Sequence, residues 1–128
     1  MNTTLVFDDH TLLALGRGHR KLSQLVVLAM RDPSLELLAP VLCVLEADRQ
    51  REGLGEHVGG LETLHPVDLR FSSALAVSDL VRKGLPLGAA HAHVTAAPSP
   101  YRPDGATIAT VAPENYARVE VRVLDLNA

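Results

Sequence analysis

Short β-branched and aliphatic runs alternate along this chain with longer stretches whose apolar residues recur at helical spacing, and that alternation restricts the fold more than any other feature. Residues 4 to 8 (TLVFD) read as a buried strand, and 11 to 15 (TLLAL) as a helix ending near Gly16. Leu22, Leu25, Val26 and Ala29 then place a helix over 19 to 31. Asp32-Pro33 closes it, because the residue before a proline is driven out of the helical region. Residues 35 to 38 are a short strand, and Pro40 suits the first turn of a helix carrying Val41, Val44, Leu45 and Asp48. Gly53, Gly55, Gly59 and Gly60 break the next region into a short helix or loop. A strand is predicted within 61 to 68, a helix over 69 to 82 stopped by Gly84, and another from Pro86 through Ala97. Pro98-Ser99-Pro100 ends it and begins a surface loop that reaches Gly105. Residues 106 to 110 are a strand, 113 to 117 a helical turn and 119 to 126 a last strand. Strands separated by helices need crossover connections, so the expected class is α/β: a three-layer α/β/α sandwich with a central, mostly parallel sheet.

A chain of 128 residues suits one domain spanning 1–128 with one core, since domains cluster at ~100–150 residues. With no Trp, two Phe and two Tyr, that core is built from Leu, Val and Ala, and base-stacking platforms of exposed aromatics are nearly excluded. A net charge of -3 argues against a protein that coats nucleic acid through general basicity, while leaving room for a local patch. Cys43 is the only cysteine, so neither an internal disulfide nor a thiolate zinc cage can form, and a reducing cytoplasm is the simplest home. No run approaches the ~18 continuous apolar residues of a membrane span. Asp8 and Asp9 stand where a signal peptide is apolar, and the chain is expected to be soluble, unprocessed and without a membrane partner.

Ligands of open α/β sheets bind beyond the carboxyl ends of the strands, where strand order reverses. Asp8, directly after Leu5-Val6-Phe7, and Thr110, closing the late strand, are both expected there. Asp8 or Asp9 also suits the N-cap of the helix that starts near Thr11. Glu46 lies on an otherwise apolar helix beside Val44, Leu45 and Ala47, where a lone glutamate is ordinarily solvated, and it gains weight only in combination. His91 and His93, two apart on a predicted helix, point roughly 200° from one another and cannot grip one ion. His10 sits in the capping region beside Asp9, and His19, His57 and His65 are scattered. Gly16-Arg17-Gly18-His19-Arg20-Lys21 is the concentrated basic patch: it is either a phosphate-facing turn or a solvated, screened one. No Gly-Lys-Ser/Thr follows it, so it is not a P-loop. There is no Gly-x-Ser-x-Gly elbow, and Cys43 in its apolar stretch is expected to be a buried, inert thiol.

Four segments in order resemble the PIN-domain family, small nucleases that include the toxins of bacterial toxin–antitoxin pairs. They are Leu5-Val6-Phe7-Asp8-Asp9-His10-Thr11-Leu12-Leu13-Ala14-Leu15, Ala39-Pro40-Val41-Leu42-Cys43-Val44-Leu45-Glu46, Gly84-Leu85-Pro86-Leu87-Gly88-Ala89-Ala90-His91-Ala92, and Thr107-Ile108-Ala109-Thr110 with Pro113 and Tyr116. The resemblance implies a crevice of acids that hold Mg²⁺ or Mn²⁺ for hydrolysis of an RNA phosphodiester, with the cation neutralising the crowd of carboxylates. Asp8 matches the family's first acid and Glu46 its second, while Gly88 and Ala112 stand where the third and fourth are expected.

The implied catalytic residues are therefore Asp8 and Glu46, and the implied metal ligands are the same pair with Asp9 and Glu114 as substitutes. Glu114 is equally explained by the positive N-terminus of its helical turn, and Asp48 and Asp79 by other or solvated helix faces. Candidate substrate contacts are Arg17, His19, Arg20, His10, Thr110 and, by the resemblance, His91, against packing or hydrogen bonding at the helix edge for His91 and a purely capping-region place for His10. Three readings follow: a metal-dependent ribonuclease of reduced efficiency, a catalytically silent relative that binds RNA or protein, and the toxin-like half of a two-gene pair held by a small antitoxin-like protein. A homodimer through the apolar face of the 22 to 29 or the 69 to 81 helix is a further expectation, although core helices show the same pattern.

Overall fold

Leu5, Val6 and Phe7 are buried in succession, which in a strand requires cover on both faces. In the computed structural model, which describes residues 2–127, that strand is β1 (Thr3–Phe7), the middle of a five-stranded sheet. The chain continues through α1 (Asp9–Gly16) and α2 (Arg20–Arg31) to β2 (Leu35–Pro40), then α3 (Val41–Gln50) and α4 (Leu54–Gly59) to β3 (Leu64–Val67). Helices α5 (Phe71–Arg82) and α6 (Leu87–Ala96) lead to β4 (Thr107–Thr110), and a 3₁₀ turn, Pro113–Tyr116, precedes β5 (Arg122–Asp125).

The sheet order is β3-β2-β1-β4-β5 and every pairing is parallel, so the expected mostly parallel sheet is wholly parallel. Leu5 pairs with Leu37 on one side and Thr107 on the other. The chain winds outward from β1 to β3 and then crosses back to lay β4 on the other side of β1. The order therefore reverses between β1 and β4, and the crevice opens at their carboxyl ends.

The core is aliphatic, with Leu12, Leu22, Leu37, Leu64 and Ile108 wholly or almost wholly buried around Phe7. A smaller cluster, Val77, Leu85 and Ala90, packs α5 against α6. The predicted elements are trimmed at their ends. The strand expected within 61 to 68 keeps only Leu64–Val67, because Leu61 accepts a turn bond from the Leu64 N–H. The last strand shortens to Arg122–Asp125, because Val119 N–H bonds back to Tyr116 and continues the turn. Gly84, at φ +103°, terminates α5 in a backbone conformation that other residues resist. At the amino ends of the strands, Arg102 donates to Glu36 Oε1 at 2.6 Å and Thr4 donates to the same oxygen, tying the 98 to 105 loop to the sheet.

Candidate acidic site at the sheet switch point

Asp8 leaves β1 as the N-cap of α1, its Oδ1 accepting the Thr11 N–H at 3.0 Å. Its Oδ2 accepts two hydroxyls, from Thr110 and from Tyr116, each at 2.6 Å. Thr110 in turn accepts the Ala112 N–H, and the Thr11 hydroxyl donates to the Ala109 carbonyl at 3.0 Å. Asp8, Thr11 and Thr110 have no exposed surface. The carboxylate is thus a hub that fastens β1, α1, β4 and the 3₁₀ turn to one another. Burial, with the Asp8 charge beside it, pushes the Tyr116 hydroxyl far above its ordinary range, so it is a permanent donor.

Asp9, the first residue of α1, turns the other way, into the space above Gly88 of α6. A Cβ built on Gly88 would stand 2.5 Å from Asp9 Oδ1 and 2.8 Å from its Cγ. Burial pushes the Asp9 carboxyl above its ordinary value, and the charges of Asp8 and Glu46 add to the effect against the pull of His10. His10 Nε2 lies 3.9 Å from Asp9 Oδ2. Glu46, on α3 and partly buried, forms an ion pair with Arg49 one turn along at 2.8 Å. Such pairs contribute about 0–1 kcal/mol, so that carboxylate is readily recruited elsewhere. Cys43 is buried as expected, its thiol donating to the Gly88 carbonyl and driven well above its ordinary pKa by burial.

Asp8, Asp9 and Glu46 are thus brought into one electrostatic neighbourhood, with His10 at its rim. The remaining expected residues go elsewhere. Of the two readings of His91, substrate contact or packing at the helix edge, the structure shows packing: it is only 1% exposed, its Nδ1 accepts the Leu42 N–H at the start of α3, and its ring bonds the Asp68 backbone. Thr110 likewise serves Asp8 and not a substrate. Glu114 is exposed on the 3₁₀ turn. Arg17, His19 and Arg20 lie at the opposite end of α1 from Asp8, about 12 Å along an eight-residue helix, and His19 is occupied as the N-cap of α2. Thr11 and Tyr116 had no site role in the sequence reading. Tyr116 stood in a matched segment, but nothing local signals a hydroxyl that reaches back across 108 residues.

The donors around the crevice are carboxylate oxygens, the chemistry a hard divalent cation requires, and the cradle over Gly88 holds the Asp9 carboxylate toward Asp8 and Glu46. Asp8 has three protein donors on its two oxygens. Among the described residues no three His, Cys, Asp or Glu side chains close around a single point. Asp9 and Glu46, whose carboxylates are not consumed by the hub around Asp8, are the residues with the donor chemistry for Mg²⁺ or Mn²⁺, which one or two carboxylates with waters and phosphate can hold. A cavity of about 650 Å³ opens at the amino ends of the strands, between Thr4, Ser34, Glu36, Arg102 and Arg122, at the opposite end of the sheet from these acids.

An all-parallel sheet in this order, flanked by helices and carrying acids at its switch point, is a PIN-like α/β fold. Two solved structures share it over nearly their whole length. A chain of a toxin–antitoxin complex from Klebsiella pneumoniae is 18% identical with a TM-score of 0.64, the match covering 95% of this chain and 97% of that one. A chain of DNA-bound VapBC from Salmonella typhimurium is 16% identical with a TM-score of 0.59, covering 98% of this chain and 99% of that one. No family model matches the sequence, and no curated protein matches it. Among the described residues no helix is long and apolar enough to cross a membrane.

Proposed function

We propose that this chain is a PIN-like protein of the toxin type: a Mg²⁺- or Mn²⁺-dependent endoribonuclease by descent, with a reduced acidic site and residual activity on RNA, held by a small antitoxin-like protein. The reading rests on Asp8 and Asp9 at the switch point of the sheet, with Glu46 near enough for its charge to act on Asp9. The two similar complexes, one of them bound to DNA, support a protein partner. When bound, the cation would polarise a phosphodiester and activate a water. Asp9 and Glu46 would hold it, while Asp8 holds the surrounding elements in register. His10, 43% exposed at the rim, is placed to meet a phosphate. The acids missing at Gly88 and Ala112 reduce the charge that fixes the cation, which accounts for a weak site.

Calorimetric titration of Mn²⁺ into the wild type and Glu46→Gln, followed by an RNA-cleavage screen of the same pair, tests this. Weak wild-type binding that disappears in Glu46→Gln, with trace cleavage that disappears alongside it, is expected. A folded wild type that binds no Mn²⁺ would overturn the cation reading and leave a fold kept for partner binding.

The partner surface we assign to α2. A groove of about 550 Å³ runs over Gly18, Arg20, Ser23, Gln24, Val27, Leu28 and Arg31, with Val27 and Leu28 each 48% exposed. Apolar floor with arginines at its rim suits an acidic amphipathic segment. The second exposed apolar face, Phe71 and Leu75 on α5, suits a second copy of the chain.

A further inference from the structure

Gly88 has no backbone reason to be glycine. Its φ is not among the positive values, which among the described glycines fall at Gly18, Gly53, Gly84 and Gly105. It lies in the first turn of α6, where glycine is about 1 kcal/mol less favourable than alanine. What position 88 offers is space, and Asp9 fills it: the Asp9 Oδ1, Cγ and Oδ2 atoms would lie 2.5, 2.8 and 3.4 Å from a Cβ there. The backbone on both sides is fixed, so a methyl at 88 is accommodated only by turning the Asp9 carboxylate out of this space. The Gly88 carbonyl is held by the Cys43 thiol at 3.1 Å, and the start of α1 is fixed by the Asp8 cap and by the Thr11 hydroxyl on Ala109.

We propose that Asp9 and Gly88 are a matched pair: position 88 is the cradle of the Asp9 carboxylate, so the site receives its inner acid from the first turn of α1, and a side chain at 88 competes with that carboxylate for one space. Asp9 is then the relocated counterpart of the carboxylate that α6 lacks, and Gly88 is its positioning residue. The elevated Asp9 pKa accords with a carboxylate pressed among like charges behind a wall of protein. The cation-binding arm of this inference rests on the function proposed above, whereas the steric arm does not.

Both arms are tested with four proteins: wild type, Gly88→Ala, Asp9→Ser, and Asp9→Ser/Gly88→Ala. Gly88→Ala is expected to lower Tm by roughly 3–5 °C with Asp9 present, because the methyl displaces the carboxylate from its cradle. In the Asp9→Ser background the same substitution is expected to leave Tm unchanged or raise it, since the cradle is empty and alanine is the better helix former. An equal effect of Gly88→Ala in both backgrounds would overturn the pairing. For the second arm, Gly88→Asp alone is expected to lower Tm, and the swap Asp9→Ser/Gly88→Asp to restore it. The swap is also expected to bind Mn²⁺ within about threefold of the wild type, as a carboxylate delivered to the same place from the facing helix should. A folded swap that loses Mn²⁺ binding shown by the wild type would overturn the relocation. A wild type that binds no Mn²⁺ overturns the cation reading of the function, and the Tm cycle then decides the pairing on its own.

Discussion

Asp8 shows how far one buried carboxylate can be committed to architecture. It caps α1 and accepts two hydroxyls that have no other partner of comparable reach. Asp8→Ala removes an N-cap, about 1 kcal/mol, and leaves two buried hydroxyls without an acceptor at about 1–3 kcal/mol each. A loss of roughly 3–7 kcal/mol in urea denaturation is expected, and a loss below about 1 kcal/mol would sink the hub assignment. His91 supplies a pH dependence. Burial lowers its pKa below the ordinary 6.5, so the unfolded chain takes up a proton before the folded one does. Its contribution to stability is therefore full above about pH 6.5 and falls as the pH drops below it. Asn presents an acceptor near the position of Nδ1, so His91→Asn should flatten the stability profile in that window, as measured by denaturation across pH. A profile as steep as the wild type's would mean that another group carries it.

At the scale of elements, local signals and long-range packing divide the work. Pro33, Gly84 and Pro86 punctuate the helices where the sequence reading placed its stops, because proline and glycine act on their own backbone and need no neighbour. Strand ends were less legible, since a strand ends where its partner does: β5 is as long as its pairing with Thr107–Thr110 allows. Two glycines at element ends make a graded prediction. Gly105, at φ +72°, has the Ala96 carbonyl 2.5 Å from a would-be Cβ, whereas the nearest atom to Gly84 is the movable Arg118 Nη1 at 2.6 Å. Both alanine substitutions should cost about 1–3 kcal/mol for the backbone conformation alone. Gly105→Ala should cost the more, because backbone cannot step aside, and equal losses in calorimetry would refute that ranking.

On the whole molecule, the exposed apolar faces of α2 and α5 bear on assembly. Phe71 is 81% exposed, so Phe71→Ser should leave Tm within a few degrees of the wild type while shifting a sedimenting dimer to monomer. A wild type that is monomeric at high concentration would remove the dimer. Val27→Lys should abolish binding of the antitoxin-like partner proposed above without altering the fold, since Val27 is half exposed; unchanged binding would move that proposed surface off α2.

The order of strands and helices was readable because hydrophobic period, proline and glycine act over a few residues, and the acids Asp8 and Glu46 were readable from the segments that carry them. Their surroundings were not. The bonds that commit Asp8 to Thr110 and Tyr116 span 102 and 108 residues, and the one that turns His91 away from the crevice joins it to Leu42, 49 residues distant. The same holds for the missing acid. Read along the chain, Gly88 is a gap in a row of carboxylates. In three dimensions it is the space that Asp9 occupies, because a close-packed interior assigns volume by contact and not by position in sequence.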